Sequence, residues 1–251
     1  MKPLGLILAR QGSKGAPGKN KAPVADRPCV MWTIDDAQRS TLARIAVSTD
    51  DPDIQKLALD AGVDVVARPD DLANDQARVD DAARHAVTAL QDDALDPIVI
   101  LYANVPFRPA DLIDRALERF EATGADSVQS YAPVGKHHPW WTARLDDDSG
   151  AVSPWEGDEL NHGVFRRQDL PPAVMPDGGV LLVSRRALFL EISNVPDGPH
   201  AFFGRDRRGV LNSEGAVIDI DSPRDLIVAD IALRERLSPT PPSPLPLGAP
   251  S

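Results

Sequence analysis

Short aliphatic runs alternate along this chain with stretches whose apolar positions recur every three or four residues. Residues 4–9, 45–48, 63–67 and 98–102 are rich in Val, Ile and Leu without polar alternation. That pattern predicts strands covered on both faces. Between them, 53–61 carries Ile54, Leu57, Ala58 and Ala61 on one stripe. Likewise 79–90 carries Val79, Ala82, Ala83, Ala86, Val87 and Leu90, and 109–123 carries Leu112, Ile113, Ala116, Leu117 and Phe120. These spacings predict amphipathic helices. Strand–helix alternation implies an α/β fold with a mostly parallel sheet and helices on both faces. In such sheets ligands collect at the carboxyl ends of the strands.

The periodicity lapses over 135–175, where Trp140, Trp141 and Trp155 cluster. This predicts an excursion from the sheet, a β-rich flap or dimerisation arm. Alternation returns over 179–184 and 216–221, and a last helix is predicted over 223–237. Residues 1–237 thus read as one domain. Residues 238–251 hold six prolines and no charged side chain, a composition that predicts a disordered tail.

Composition narrows the class. The 251 residues, 42% hydrophobic and 26% charged, describe an ordinary globular protein. Net charge is -11 and the isoelectric point is near 4.8, which argues against a broad nucleic-acid surface. Cys29 stands alone, so no intrachain disulfide forms, as suits a reducing cytoplasm. No apolar run is long enough to span a bilayer, and no signal peptide is read at the start.

Against that acidic background, residues 6–20 form a positive island. The first strand runs into a loop with Gly12, Gly15 and Gly18 interleaved with Arg10, Lys14 and Lys19, and no acid intervenes between Arg10 and Lys21. Glycines let the main chain approach a ligand closely. Successive N–H groups can form an anion-binding concavity, and the cations add charge. The loop matches neither of the two common glycine-rich phosphate motifs. It reads as a site for a nucleoside triphosphate; the alternative is a solvated Gly/Lys turn. Far downstream, Asp219 and Asp221 are spaced so that a strand would place both carboxylates on one face. Paired carboxylates beside a triphosphate suit Mg²⁺, which takes oxygen ligands and keeps several waters. The alternative is two ordinary acids at a strand end.

These motifs, in order, resemble the CMP-sialic acid synthetases, or acylneuraminate cytidylyltransferases. The likeness begins at Ile7-Leu8-Ala9-Arg10-Gln11-Gly12-Ser13-Lys14-Gly15 with Lys19-Asn20. It continues through Val47-Ser48-Thr49-Asp50-Asp51 and Gly62-Val63-Asp64-Val65-Val66-Ala67-Arg68-Pro69. Further on lie Pro106-Phe107-Arg108-Pro109, His137-His138-Pro139, Arg167-Gln168-Asp169-Leu170 and Ile218-Asp219-Ile220-Asp221. The resemblance implies a Rossmann-like sheet of the nucleotide-diphospho-sugar transferase type with a dimerisation arm, and a homodimer. It implies transfer of CMP from CTP to a nonulosonic sugar acid, with release of pyrophosphate. Ala9, Arg10, Gly12, Ser13, Lys19, Asn20 and Arg68 fall at nucleotide positions. Arg10, Lys19, Asp219 and Asp221 fall at catalytic ones, the two acids holding Mg²⁺. Tyr102, Arg167 and Asp177 are expected on the sugar side. Arg167 suits a sugar carboxylate, or else forms a surface salt bridge.

Departures cluster on that sugar side. Trp141 stands where a lysine is usual, Met175 where an arginine precedes the Pro-x-Gly segment, and Asn104-Val105-Pro106-Phe107 where Thr-Ser-Pro-Leu is usual. They fit a pseudaminic- or legionaminic-type acid better than N-acetylneuraminate. The rival readings are a cytidylyltransferase for the eight-carbon acid Kdo and a degenerate nucleotide-binding subunit.

Overall fold

Leu4–Leu8 (β1) is buried along its whole length, with Ile7 and the following Ala9 on one side of the sheet and Leu4, Leu6 and Leu8 on the other. The same division repeats in Ile98–Tyr102 (β4), where Val99 and Leu101 oppose Ile98 and Ile100. A strand with no polar face must be covered twice. These assignments come from a computed structural model, which describes residues 1–12 and 15–238. Ser13, Lys14 and most of the proline-rich tail lie outside the described residues.

The other strands of the main sheet are Arg44–Thr49 (β2), Asp64–Ala67 (β3), Ser127–Pro133 (β5), Val174–Val183 (β6) and Arg207–Leu211 (β7). Their order is β7-β5-β6-β4-β1-β2-β3. β6 pairs antiparallel with both neighbours, and every other pairing is parallel. One face is covered by Cys29–Arg39 (α1), Pro52–Asp60 (α2) and Leu112–Thr123 (α4), the other by Val79–Ala89 (α3) and Arg185–Leu188 (α5). The last helix, Pro223–Leu237 (α6), packs Ala229 and Leu233 with Val24, Cys29, Trp32 and Ile220.

Local signals account for several boundaries. Asp51 caps α2, accepting from Asp53 N at 2.9 Å, and Pro52 occupies the first turn. α4 stops at Gly124, whose φ of 63° is the left-handed value glycine adopts cheaply. α6 opens with a reciprocal capping box between Ser222 and Asp225.

Four segments depart from the sequence expectation. α1 carries Asp35, Asp36, Gln38 and Arg39 among its apolar positions, so its stripe is narrow and was not predicted. β5 and β7 mix polar and apolar residues, unlike the central strands, and were likewise missed. Residues 216–221, expected as a strand, are not one: Ile218 makes an isolated bridge to Phe107 and Ile220 N bonds to the Asn104 carbonyl. Their partner segment contains Pro106, which has no N–H, so the ladder cannot propagate.

The excursion sits inside a hairpin. β5 and β6 pair from Pro133 with Val174 onward, and residues 134–173 fill the gap with four 3-10 turns and a small hairpin, Ala143–Leu145 with Val152–Pro154. Leu145, Val152, Trp155 and Phe165 are exposed along it. No helix among the described residues is long and apolar enough to cross a membrane.

Candidate active site

The carboxyl ends of β1 and β4, the first turn of α3 and the loop before it line a cleft of about 170 Å³. Its wall includes Leu8, Arg10, Gly12, Lys19, Asn20, Arg68, Tyr102 and Asn104. Leu72, Ala77, Val79 and Ala82 give it an apolar side, and Arg78 a further cation. Ala9 is buried beneath it, with its N–H bonded to Ser48 O at 3.0 Å.

The loop is tied down at several points. Gln11 N donates to Asp50 Oδ1 at 2.8 Å, and Asn20 Nδ2 donates to the Arg10 carbonyl at 2.9 Å. Gly18 has φ +72° and its carbonyl accepts from Lys21 N and Ala22 N. Gly15 lies so close to the far segment that a Cβ would meet the Asp221 carbonyl at 2.5 Å. Lys19 Nζ donates to Asp221 Oδ1 at 2.6 Å. The cationic loop and the two aspartates, some two hundred residues apart, therefore share one site.

Electrostatics follow from burial. Asp219 loses solvation and faces Asp221, so its carboxyl is pushed up to about 6, against the opposing pull of Lys19 and of the Asn104 hydrogen bond. Tyr102 is also raised, by burial first and then by the Asp219 charge. Burial lowers Arg68 to about 10, and it stays cationic at neutral pH. Arg68 donates through Nε to Ser48 Oγ (3.2 Å) and through Nη2 to Ser48 O (2.9 Å). Asn20 Oδ1 is buried with no donor among the described residues. Arg10 Nη1 pairs with Asp75 Oδ1 at 2.7 Å.

The chemistry of the donor set fits a divalent cation. Two carboxylates lie near enough to repel one another, one desolvated and one exposed, and Lys19 bonds the exposed one. Among the described residues no group of three or more His, Cys, Asp or Glu is gathered for a metal. A cation at Asp219 and Asp221 would complete its shell from water and phosphate oxygens, the habit of Mg²⁺.

The sugar-side expectations divide. Tyr102 lies in the cleft with the nucleotide residues. Asp177 does not line it: Asp177 accepts from Ser130 Oγ, Gly179 N (3.0 Å) and Asn212 Nδ2 (2.7 Å), holding a turn within β6. The next residue does approach the site, because a Cβ on Gly178 would lie 3.6 Å from Asp219 Oδ2. Arg167 is also outside the cleft. Arg167 pairs with Glu214 at 2.5 Å and lines a separate groove with Val134, Leu170 and Leu211, the salt-bridge alternative. Ser13 falls outside the described residues. Sequence reasoning missed Asn104 and Arg78 as wall residues; for Asn104 the available signal was its position just past the carboxyl end of β4.

Comparison with known proteins bears on the family of the chain. Residues 4–151 match the family model described as Cytidylyltransferase. The N-acylneuraminate cytidylyltransferase of Streptococcus agalactiae serotype V is 30% identical over 245 residues, covering 94% of this chain and 56% of that protein. The chain thus spans little more than half the length of that relative. The CMP-N,N'-diacetyllegionaminic acid synthase of Legionella pneumophila is 31% identical over 242 residues, covering 94% of this chain and 96% of that protein. A solved CMP:2-keto-3-deoxy-manno-octonic acid synthetase complexed with CTP superposes with a TM-score of 0.68 at 16% identity, covering 94% of this chain and 100% of that one, and shares the fold. A cationic cleft at the carboxyl edge of the sheet, together with these matches along the chain, leads to one conclusion: the protein belongs to the cytidylyltransferase family.

Proposed function

We propose that the protein is a Mg²⁺-dependent cytidylyltransferase that activates a nonulosonic acid with CTP, giving a CMP-sugar and pyrophosphate. The observation that carries this is the junction of the cationic loop with the paired aspartates, Lys19 to Asp221 at 2.6 Å. The anomeric hydroxyl oxygen of the sugar acid forms a bond to the α-phosphorus. The bond from that phosphorus to the bridging oxygen breaks, pyrophosphate takes the electron pair, and the hydroxyl proton is released. Such transfers depend on positioning and charge stabilisation.

The residues divide this work. Arg10 and Lys19 hold phosphate oxygens and offset the charge that builds during transfer. Their present partners, Asp75 and Asp221, are carboxylates that a triphosphate would replace. Arg68 lines the wall, and Asn20 Oδ1, with no donor among the described residues, is an acceptor suited to a nucleotide hydroxyl or amino donor. Asp219 and Asp221 would hold Mg²⁺. When bound, the metal neutralises the leaving pyrophosphate and acidifies the attacking hydroxyl. Gly178 and Tyr102, beside Asp219, face the position for the sugar.

A legionaminic- or pseudaminic-type acid is favoured over N-acetylneuraminate by Trp141 and Met175, and by the full-length likeness to the Legionella protein. The exposed apolar side chains of the 134–173 excursion support its role as a dimer arm. A cytoplasmic setting fits the nucleotide substrate.

The test is pyrophosphate release with CTP, Mg²⁺ and a panel of nonulosonates. Turnover on at least one is expected, and silence across the panel would refute the reading. Asp221→Ala is expected to abolish turnover while circular dichroism stays native; unchanged activity removes the metal assignment.

A further inference from the structure

Asn104 belongs to none of the charged groups, yet it joins the two halves of the site. Two residues past β4, its carbonyl accepts from Ile220 N at 2.9 Å. Its side-chain Nδ2 donates to Asp219 Oδ1 and to the Ile220 carbonyl at 3.2 Å. Both of these partners are acceptors, so the amide nitrogen must face them and the orientation of the group is fixed by the network. Next along the chain, Ile218 N donates to the Phe107 carbonyl at 3.0 Å. The segment bearing the aspartates is therefore anchored to the loop after β4 by four hydrogen bonds, of which one alone reaches a catalytic carboxylate.

That one bond divides the two oxygens of Asp219. Oδ1 is taken by Asn104. Oδ2 is the oxygen nearest Gly178, which has no side chain to cover it. A carboxylate otherwise rotates about its terminal bond over a broad range. An acid at position 104 would repel Asp219, and a shorter hydroxyl would sit farther from it. The amide donates a hydrogen bond while adding no charge beside Asp219 and Asp221.

We propose that Asn104 is the positioning residue for Asp219: it holds Oδ1 so that Oδ2 is the oxygen presented to the metal–triphosphate. This rests on the magnesium reading above. Asn104 acts through Asp219, so its contribution is confined to the metal-dependent part of nucleotide binding. Outer-shell partners of this type typically change metal affinity 10- to 100-fold when removed.

Calorimetric titration of the full chain with CTP, in Mg²⁺ and in EDTA, tests this. Asn104→Ala and the shape-matched Asn104→Leu are compared with wild type, Asp219→Ala and the double variant Asn104→Ala/Asp219→Ala. The expected result is CTP binding weakened about 10-fold in Mg²⁺, unchanged affinity in EDTA, and no further loss when Asp219 is already alanine. Thermal melts identify any variant that has not folded, and Asn104→Leu guards against a packing defect in the alanine form. Equal losses in Mg²⁺ and EDTA, or a loss that adds to that of Asp219→Ala, would overturn the assignment. A wild-type affinity indifferent to Mg²⁺ would instead overturn the magnesium reading itself, and that outcome is visible before any Asn104 variant is measured.

Discussion

Arg108 shows how much one residue of a recognisable motif can be structural. In the sequence it belongs to Pro106-Phe107-Arg108-Pro109, one of the motifs that carry the family likeness. In the fold its side chain is fully buried and its Nη1 lies 3.1 Å from Asp36 Oδ2 on α1. Desolvation raises the Asp36 carboxyl and lowers the Arg108 guanidinium, so burial works against both charges and the pair offsets it. Arg39 also reaches Asp36, and Arg236 donates to the Arg108 carbonyl at 3.2 Å. Arg108→Ala leaves Asp36 buried with a single partner, and should cost about 3–5 kcal/mol. Arg108→Met, which keeps the volume, should cost less. Urea unfolding measures both, and a loss under about 1 kcal/mol for the alanine form would contradict the argument. Gly15 is the reverse case, a residue without a side chain whose position is functional. Its Cβ would strike the Asp221 carbonyl, so Gly15→Ala should lower turnover with little change in melting temperature.

Among the elements, α6 carries the most local information. Pro223 and the Ser222/Asp225 capping box set its start, and the observed bounds coincide with the expected 223–237. Ser222→Ala should cost about 1 kcal/mol in a denaturation experiment. Docking of α6 is electrostatic as well as apolar. Arg234 forks onto Asp26 (2.8 and 2.9 Å) and bonds Asp230, while Asp230 accepts from Ala25 N at 2.7 Å. Hydrogen bonds from Arg234 lower the carboxyl groups of Asp26 and Asp230. A carboxyl lowered by folding adds stability above its unfolded value, near pH 4, and loses it as pH falls through the folded value. Arg234→Ala should therefore differ from wild type at pH 6 and converge with it toward pH 2, read as the pH dependence of the urea midpoint. α1, β5 and β7 were not legible in the same way. Their residues alternate or mix polar and apolar character because one side meets solvent or an ion pair, and only the packed sheet makes their pattern intelligible.

For the whole molecule, the decisive feature is that strand order brings distant segments together. β1 and β4 are neighbours although nearly ninety residues separate them, and β6 enters beside β4 in the opposite direction. The excursion at 134–173 leaves from this same stem. Trp155 at 52% and Phe165 at 82% exposure suit a protein partner better than water. Sedimentation is expected to give twice the monomer mass for wild type, and close to monomer mass for Trp155→Glu/Phe165→Glu. A wild-type monomer would remove the dimer arm.

The chain's own order of residues was enough to specify the central strands, four of the helices, the cationic glycine loop and the aspartate pair, because strand burial, helix periodicity and loop charge are local properties. Contacts depend on what lies opposite, and no periodicity encodes that. Only the folded chain assigned Asp177 to a turn, paired Arg167 with Glu214, and set Asn104 against Asp219 at the edge where Lys19 meets Asp221.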